Sequence, residues 1–339
     1  MTSDPVERYL LRATKIGRRA RLRPLQLSEL FDLSLRVYRT LGWRILVASA
    51  VQTLFTLAGL AFLFQYVVPG FIWTGQGTRP SGQVIEAALN MLLGVAVAGP
   101  LVLIGISLAT TYIAPLVSDF MHGLPPNYKA AGEAQWKSAP RMLWVSVRES
   151  LLAASGTIVG GVLLFASWYL NQITGSENVI AGLVLVSGVI AICIGGVGAL
   201  VILSTHALVA PVAAIEHVSA AVAGRRSREL MRARPYQGSG YDSVWSLYLL
   251  MGLLAGILIG GASALTEVIG ISNWAGALNL LTLRPIVEGA IDLVPIYVTL
   301  WVCVPVWAVT VTIIYYERRV RLEGYDIEAL AADVWHPAR

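Results

Sequence analysis

His206 is the residue whose surroundings most suggest chemistry, because it is an ionisable side chain inside a long apolar stretch. Ionisable groups at membrane depth are costly to bury and often belong to a substrate or proton pathway. The alternative, which we favour, is a neutral imidazole that is hydrogen-bonded to the adjacent hydroxyls of Ser204 and Thr205 or to a carbonyl. His206, Thr205 and Ser204 are therefore a candidate intramembrane polar site.

Other constellations that carry chemistry are missing from the sequence, which contains no GxSxG, HExxH or P-loop motif. The four histidines are too scattered to suggest a metal site: they are His122, His206, His217 and His336. Cys193 and Cys303 each lie in an apolar run and form no CxxC pair, so neither a disulfide framework nor a redox pair is indicated. We predict no enzymatic activity, no metal and no cofactor.

A second kind of chemistry is suggested by the stretch "TIIYYERRVRLEGYD", residues 311–325, where an apolar run changes to charged residues within one helical turn. Tyr315 and Tyr316 are typical of the headgroup layer, and the arginines after them could meet lipid phosphates. Their ordered spacing also fits a cytosolic cap helix whose charges pair with other basic segments or with a partner. The candidate lipid or partner contacts are Arg225, Arg226, Arg228, Arg318, Arg319, Arg321, Glu323 and Asp326.

Composition decides the class of protein that must position these residues. The chain of 339 residues is 56% hydrophobic and 13% charged, and its mean hydropathy is +0.68. Soluble domains carry roughly a quarter charged residues, so a chain this apolar is predicted to lie in a lipid bilayer. Nucleic acid is excluded as a partner, because the arginines flank apolar segments and do not form a folded basic domain.

Six apolar segments are long enough to cross a bilayer, and each must be helical to satisfy its backbone in lipid. The predicted spans are 44–68, 87–117, 147–170, 179–214, 245–270 and 293–316. The fold class is an all-α, polytopic membrane bundle. We expect a basic cytosolic tail over residues 1–24, a six-span membrane domain over 25–322 and a C-terminal cytosolic tail over 323–339.

The distribution of lysine and arginine predicts the orientation. With six spans both termini share one side, and that side carries 23 of these residues against two, Arg79 and Arg284, on the other. Short loops rich in lysine and arginine stay in the cytoplasm. Both termini are therefore predicted to be cytoplasmic in a multi-pass plasma-membrane protein.

A threefold pattern runs through the chain, in which a partly amphipathic cytosolic segment precedes each outward-going span. These segments are "LQLSELFDLSLRVYRTLGWR", "YKAAGEAQWKSAPRMLW" and "VSAAVAGRRSRELMRARPY". Together they predict three hairpins, each preceded by an interfacial helix. Small-residue runs such as "GTIVGG" and "GILIGGASA" favour close helix packing or self-association.

Three stretches resemble a known family: "LRPLQLSELFDLSLRVYRTLGWRIL", "LVAPVAAIEHVSAAVAGRRSREL" and "YYERRVRLEGYDIEALA". They are similar to the glycerophosphoryl diester phosphodiesterase membrane domain family, polytopic bacterial membrane proteins of largely unassigned role. The middle stretch carries the family's pattern at Pro211, Glu216, Arg226 and Ser227, whereas many relatives have Asp where this chain has Glu317. The resemblance implies a bacterial plasma membrane and no catalysis here, because the hydrolase is a separate barrel of roughly 200 residues.

We predict a non-enzymatic scaffold or accessory subunit in envelope or lipid-related processes. Its expected partners are anionic lipid headgroups at the cytoplasmic face. A membrane protein, a cytosolic protein or a second copy of the chain is a further possible partner. The second interpretation is a small transporter or permease for a lipid-like or amphipathic substrate, since long spans interrupted by proline and glycine often build midplane sites.

Overall fold

The computed structural model describes residues 25, 27–67, 81–174, 179–232, 240–269 and 284–325, and within them the chain is helical with no strand. Eight α-helices follow one another there. They are α1 (Leu27–Phe62), α2 (Ser81–Met121), α3 (Tyr128–Thr174), α4 (Val179–His206), α5 (Val209–Ile215), α6 (Ala220–Arg232), α7 (Gly240–Ile269) and α8 (Arg284–Glu323). A short π-helical turn, Leu63–Val67, continues α1.

The chain is a helical membrane bundle, which confirms the predicted fold class. In its described part six stretches are long and apolar enough to cross a membrane. They are Ser28–Phe62, Leu93–Met121, Tyr128–Ile173, Val179–Ile215, Val244–Gly261 and Leu293–Glu323. Each overlaps one predicted span, but α3 and α8 are longer than the sequence suggested. Residues 317–323 stay helical because Glu317 pairs with Arg321, and Arg319 with Glu323, one turn apart.

Gly42 separates the amphipathic start of α1 from its apolar part. Its backbone, at φ 54° and ψ −141°, is not helical, so α1 is two helical pieces joined by a kink. Only glycine adopts this conformation without steric cost. The kink lies two residues before the predicted start of the first span. It therefore separates the interfacial segment from the membrane span close to the boundary that hydropathy predicts.

Three helices end on a residue in the left-handed region. Gly123 (φ 69°) follows α2, His217 (φ 54°) follows α5 and Gly324 (φ 63°) follows α8. After α2, the amide of Gly123 donates to the carbonyl of Phe120 and that of Leu124 to the carbonyl of Asp119, at 3.1 and 2.8 Å. Such residues terminate helices by satisfying the last carbonyls. The three returning arms of the predicted threefold pattern are thus each followed by a residue in the left-handed region.

The chain contains two compact units. The first comprises residues 1–53, 108–139 and 207–339, and the second comprises residues 54–107 and 140–206. The centre of the first unit is α8, in which every residue from Cys303 to Arg318 is buried. A helix that is buried on all sides is a core helix and not a lipid-facing one. The charged end of α8 thereby contacts the ends of α2 and α5 and the middle of α6.

The second unit is held together by close backbone approach. A Cβ atom added to Gly156 of α3 would lie 2.4 Å from the Cα of Gly195 in α4, and one added to Gly160 would lie 2.8 Å from the carbonyl oxygen of Gly188. The hydroxyl of Ser167 also donates to the carbonyl of Ala181, at 2.6 Å. Small residues permit this approach where the surrounding lipid gives no hydrophobic drive for helices to associate.

Candidate functional site

The charged end of α8 is the best-built polar site in the part of the chain that the structure describes. Because the helix continues unbroken to Glu323, residues four apart share a face. Tyr315, Arg319 and Glu323 therefore lie above one another, and Glu317 and Arg321 form a second pair beside them. These two faces carry different networks.

The first network is a closed cycle, here named the exit ring, made of Tyr315, Glu216, Arg226, Glu323 and Arg319. The hydroxyl of Tyr315 donates to Oε1 of Glu216 at 2.9 Å, and Nε of Arg226 lies 3.6 Å from the same oxygen. Arg226 also pairs with Glu323. Arg319 closes the cycle, because its Nε donates to Oε2 of Glu323 at 3.0 Å and its Nη1 to the hydroxyl of Tyr315 at 3.3 Å.

Three separate elements supply the exit ring. Glu216 is the residue that ends α5, Arg226 lies on the middle of α6, and the other three side chains come from α8. The ring contains two guanidinium groups and two carboxylates, so its charges balance within the chain. Tyr315 is buried, whereas the four charged side chains are about one-sixth to one-third exposed. Charge pairs in such positions are only partly screened by water. The ring fixes α6 against the end of α8.

The second network is more deeply buried. The side chains of Glu317 and Arg318 are only 4% and 3% exposed, and Nε of Arg318 lies 3.3 Å from Oε2 of Glu317. The other carboxylate oxygen of Glu317 pairs with Arg321, whose Nη2 donates to the carbonyl of Leu25 at 2.7 Å. Buried charges persist only when they are paired, because desolvation of a lone charge is very costly. This network ties the start of the first amphipathic segment to the end of α8.

The third set of contacts joins α8 to the end of α2. The hydroxyl of Tyr316 donates to Oγ of Ser118 at 2.7 Å, and Nδ1 of His122 lies 2.7 Å from the carbonyl oxygen of Ser118. A carbonyl only accepts, so Nδ1 carries a proton. Nε2 lies 3.0 Å from the hydroxyl of Tyr325, and in the neutral imidazole it accepts from that hydroxyl. The guanidinium of Arg319 lies 4.0 Å from the centre of the Tyr325 ring, a cation–π contact.

The structure thus brings together four of the predicted contact residues, Arg226, Arg319, Arg321 and Glu323, within the chain, and it buries Arg318 beside Glu317. The other two predicted contacts on α6, Arg225 and Arg228, stay exposed. Arg225 makes no ion pair or hydrogen bond among the described residues, and Nε of Arg228 donates to the carbonyl of Gly224, one turn earlier, at 3.1 Å. Asp326 lies outside the described residues. Sequence reasoning did not identify Tyr315 and the Leu25 carbonyl as partners of this cluster.

The sequence did contain a pointer to Glu216, because this residue lies in one of the three stretches of the family resemblance. Glu216 and Arg226 both lie in the middle stretch of the resemblance, and Glu323 lies in its last stretch. Glu216 and Arg226 meet Glu323, about a hundred residues further along the chain, in the exit ring. The charged residues after Tyr316 therefore pair within the chain.

The His206 site differs from its predicted form. His206 is buried at the end of α4, and its Nε2 lies 3.4 Å from Oγ of Ser107, which accepts from the hydroxyl of Ser146 at 3.2 Å. The hydroxyls of Ser204 and Thr205 instead donate to carbonyls of their own helix. The polar partners of His206 therefore come from α2 and α3. Nδ1 of His206 has no hydrogen-bond partner among the described residues.

Within the described ranges, no group of three His, Cys, Asp or Glu side chains is placed to hold a metal ion. A scan of protein-family models, a search of curated proteins and a search of solved structures each find no match to the chain. The fold and the site define the class, a multi-pass helical membrane protein with a paired polar cluster at the end of its central helix. The family resemblance stays a prediction.

Proposed function

We propose that the chain is a non-enzymatic membrane scaffold or accessory subunit in envelope or lipid-related processes, located in a bacterial plasma membrane with both termini in the cytoplasm. The observation that carries the proposal is the exit ring, because its charges balance within the chain. Because these side chains pair with one another, they hold α5, α6 and α8 together. What this architecture presents outward is α6.

The outward face of α6 is the docking surface in this proposal. Arg225, Arg228 and Glu229 are exposed there, while Ala223, Ser227 and Leu230 are buried on the opposite face. Arg226 fixes the helix through the exit ring, so the exposed charges are displayed on a rigid element. Rigid display lowers the entropic cost of binding, and an arginine-rich face suits an acidic protein partner.

The experiment is quantitative cross-linking and co-purification in mild detergent, comparing the parent with Arg225→Glu/Arg228→Glu. We expect at least a tenfold loss of a specific co-purifying protein, because charge reversal turns attraction into repulsion. The matched control is Arg225→Lys/Arg228→Lys, which keeps the charge and should retain the partner. If the reversed variant and the parent retain identical proteins, the docking role of α6 is wrong.

A second candidate function, a small transporter for a lipid-like substrate, is favoured by the buried Ser146–Ser107–His206 chain. It lies where α4 ends and the chain turns at Ala207 and Leu208 before α5. Interrupted helices commonly line transport sites. Proteoliposomes containing a fluorescent phospholipid test this candidate, since transport requires flux above that of protein-free vesicles and a loss of that flux in His206→Ala. Absence of flux in the parent removes the candidate and leaves the scaffold proposal intact.

A further inference from the structure

The cations of the first unit fall into two sets. Arg226, Arg319 and Arg321 are paired with carboxylates of the same unit. Lys129 and Lys137, by contrast, are exposed, and no carboxylate pairs with either of them among the residues that the structure describes. The paired set has little capacity left for an external anion, so an anionic ligand is best recognised by the unpaired set.

The two unpaired lysines lie on one face of the first turns of α3. Ala131, Gln135 and Ala139 are buried at four-residue intervals on the opposite face, and Nε2 of Gln135 donates to the carbonyl of Leu108 at 3.0 Å. This spacing fixes which side of the helix faces outward. The outward side carries Lys129, Glu133, Trp136 and Lys137.

This face carries a large exposed aromatic residue, Trp136, which is 77% exposed. The neighbouring piece of α1 repeats the combination. The Arg44 guanidinium lies 5.0 Å from the centre of the Tyr128 ring, which places α1 beside the start of α3. On α1, Trp43 is 65% exposed and Arg39 is exposed without an ion pair in the described part of the chain.

We infer that Arg39, Trp43, Lys129, Trp136 and Lys137 form a headgroup surface that binds anionic phospholipids of the chain's own bilayer. Tryptophan prefers the membrane–water boundary, where its ring is half in the apolar layer, and lysine and arginine beside it reach the phosphates. An acidic protein would complement the charges, but the two exposed rings at the start of a span favour lipid. The inference requires only the membrane class and is independent of the scaffold role.

The test measures binding of phosphatidylglycerol and of phosphatidylcholine to the purified, delipidated protein by native mass spectrometry. In Lys129→Gln/Lys137→Gln we expect about fivefold weaker phosphatidylglycerol binding for each charge removed, with phosphatidylcholine binding unchanged. Lys129→Arg/Lys137→Arg keeps both charges and should bind as the parent does. High salt should reduce the difference between the parent and the Gln variant.

Glu133→Gln gives the opposite sign on the same face. Glu133 is exposed between the two lysines, so its removal should strengthen phosphatidylglycerol binding. Thermal unfolding of each variant checks that the fold is kept. Equal phosphatidylglycerol binding by the parent and the double Gln variant, or no gain in Glu133→Gln, overturns the inference. Neither result bears on partner capture by α6.

Discussion

At the scale of single residues, Arg226 is the only member of the exit ring that joins two carboxylates from different elements. The planar guanidinium presents several donors in a fixed fork, and a lysine ammonium cannot reproduce that geometry. Without Arg226, Glu216 and Glu323 would face each other with less positive charge between them. The residue is therefore expected to matter through position as well as through charge.

We predict that Arg226→Gln lowers the free energy of unfolding by about 1–3 kcal/mol, since it leaves two partly buried carboxylates undercompensated. Arg228→Gln, two residues along α6, should change it by less than about 0.5 kcal/mol because its side chain bonds only a local carbonyl. Unfolding of the purified protein by SDS titration measures both. A double-mutant cycle with Glu323→Gln should give a coupling energy near 1 kcal/mol, and a coupling of zero would refute the pairing.

The sequence could identify the cluster of charges after Tyr316 but not the separate tasks of its arginines. Arg318, Arg319 and Arg321 are near neighbours in sequence, and the same two interpretations applied to all three. Helical geometry then directs Arg319 to the exit ring and places Arg318 and Arg321 beside the buried Glu317. Which face is buried depends on what surrounds α8, and this information lies in other parts of the chain.

At the scale of elements, the α3–α4 hairpin depends on glycine at the positions of closest approach. We predict that Gly156→Ala destabilises the protein by about 1–3 kcal/mol, because the added methyl group would overlap the backbone at Gly195 and force the helices apart. Gly161→Ala is the matched control, since nothing lies within 4 Å of its added carbon. It should be neutral or stabilising by up to about 1 kcal/mol, as alanine is the better helix former.

The measurement is again SDS-induced unfolding, followed by circular dichroism for both variants. If Gly156→Ala unfolds at the same SDS fraction as Gly161→Ala, the close approach of the two helices does not contribute to stability. A larger loss of stability in Gly161→Ala than in Gly156→Ala would contradict the open space around Gly161.

Hydropathy predicted the number and type of the long helices, but it did not predict which helix is central. In the most apolar stretch of the fourth span, which begins with α4, only 11% of the residues are buried inside the protein. In the corresponding stretch of α8, 67% of the residues are buried. Lipid chains are as apolar as leucine, so apolar residues gain little by moving from lipid into the protein. Burial in a membrane therefore follows polar partners and close packing, and in α8 the polar partners include Tyr297 and Trp301, which donate to carbonyls of α1.

At the scale of the whole molecule, orientation is the property that most needs a direct measurement. In a background lacking Cys193 and Cys303, we predict that Gly75→Cys, Ser176→Cys and Asn273→Cys react with a membrane-impermeant maleimide added to intact cells. Ser138→Cys, Arg228→Cys and Ala331→Cys should react only after the membrane is opened, because lysine and arginine concentrate on that side. Arg228 is exposed, whereas the adjacent Ser227 is completely buried and would not react on either side. Labelling of Arg228→Cys in intact cells would reverse the orientation.

The central position of α8 also fixes an order of events during synthesis. Its buried part begins about 250 residues after the α1 residues of the same unit, and translation at about 5–20 residues per second makes the interval on the order of 10–50 s. The second unit is fully synthesised by His206. During that interval the inward faces of α1, α2 and α6 lack their core helix. We therefore expect the nascent first unit to be more sensitive to membrane proteases until α8 leaves the ribosome than after it.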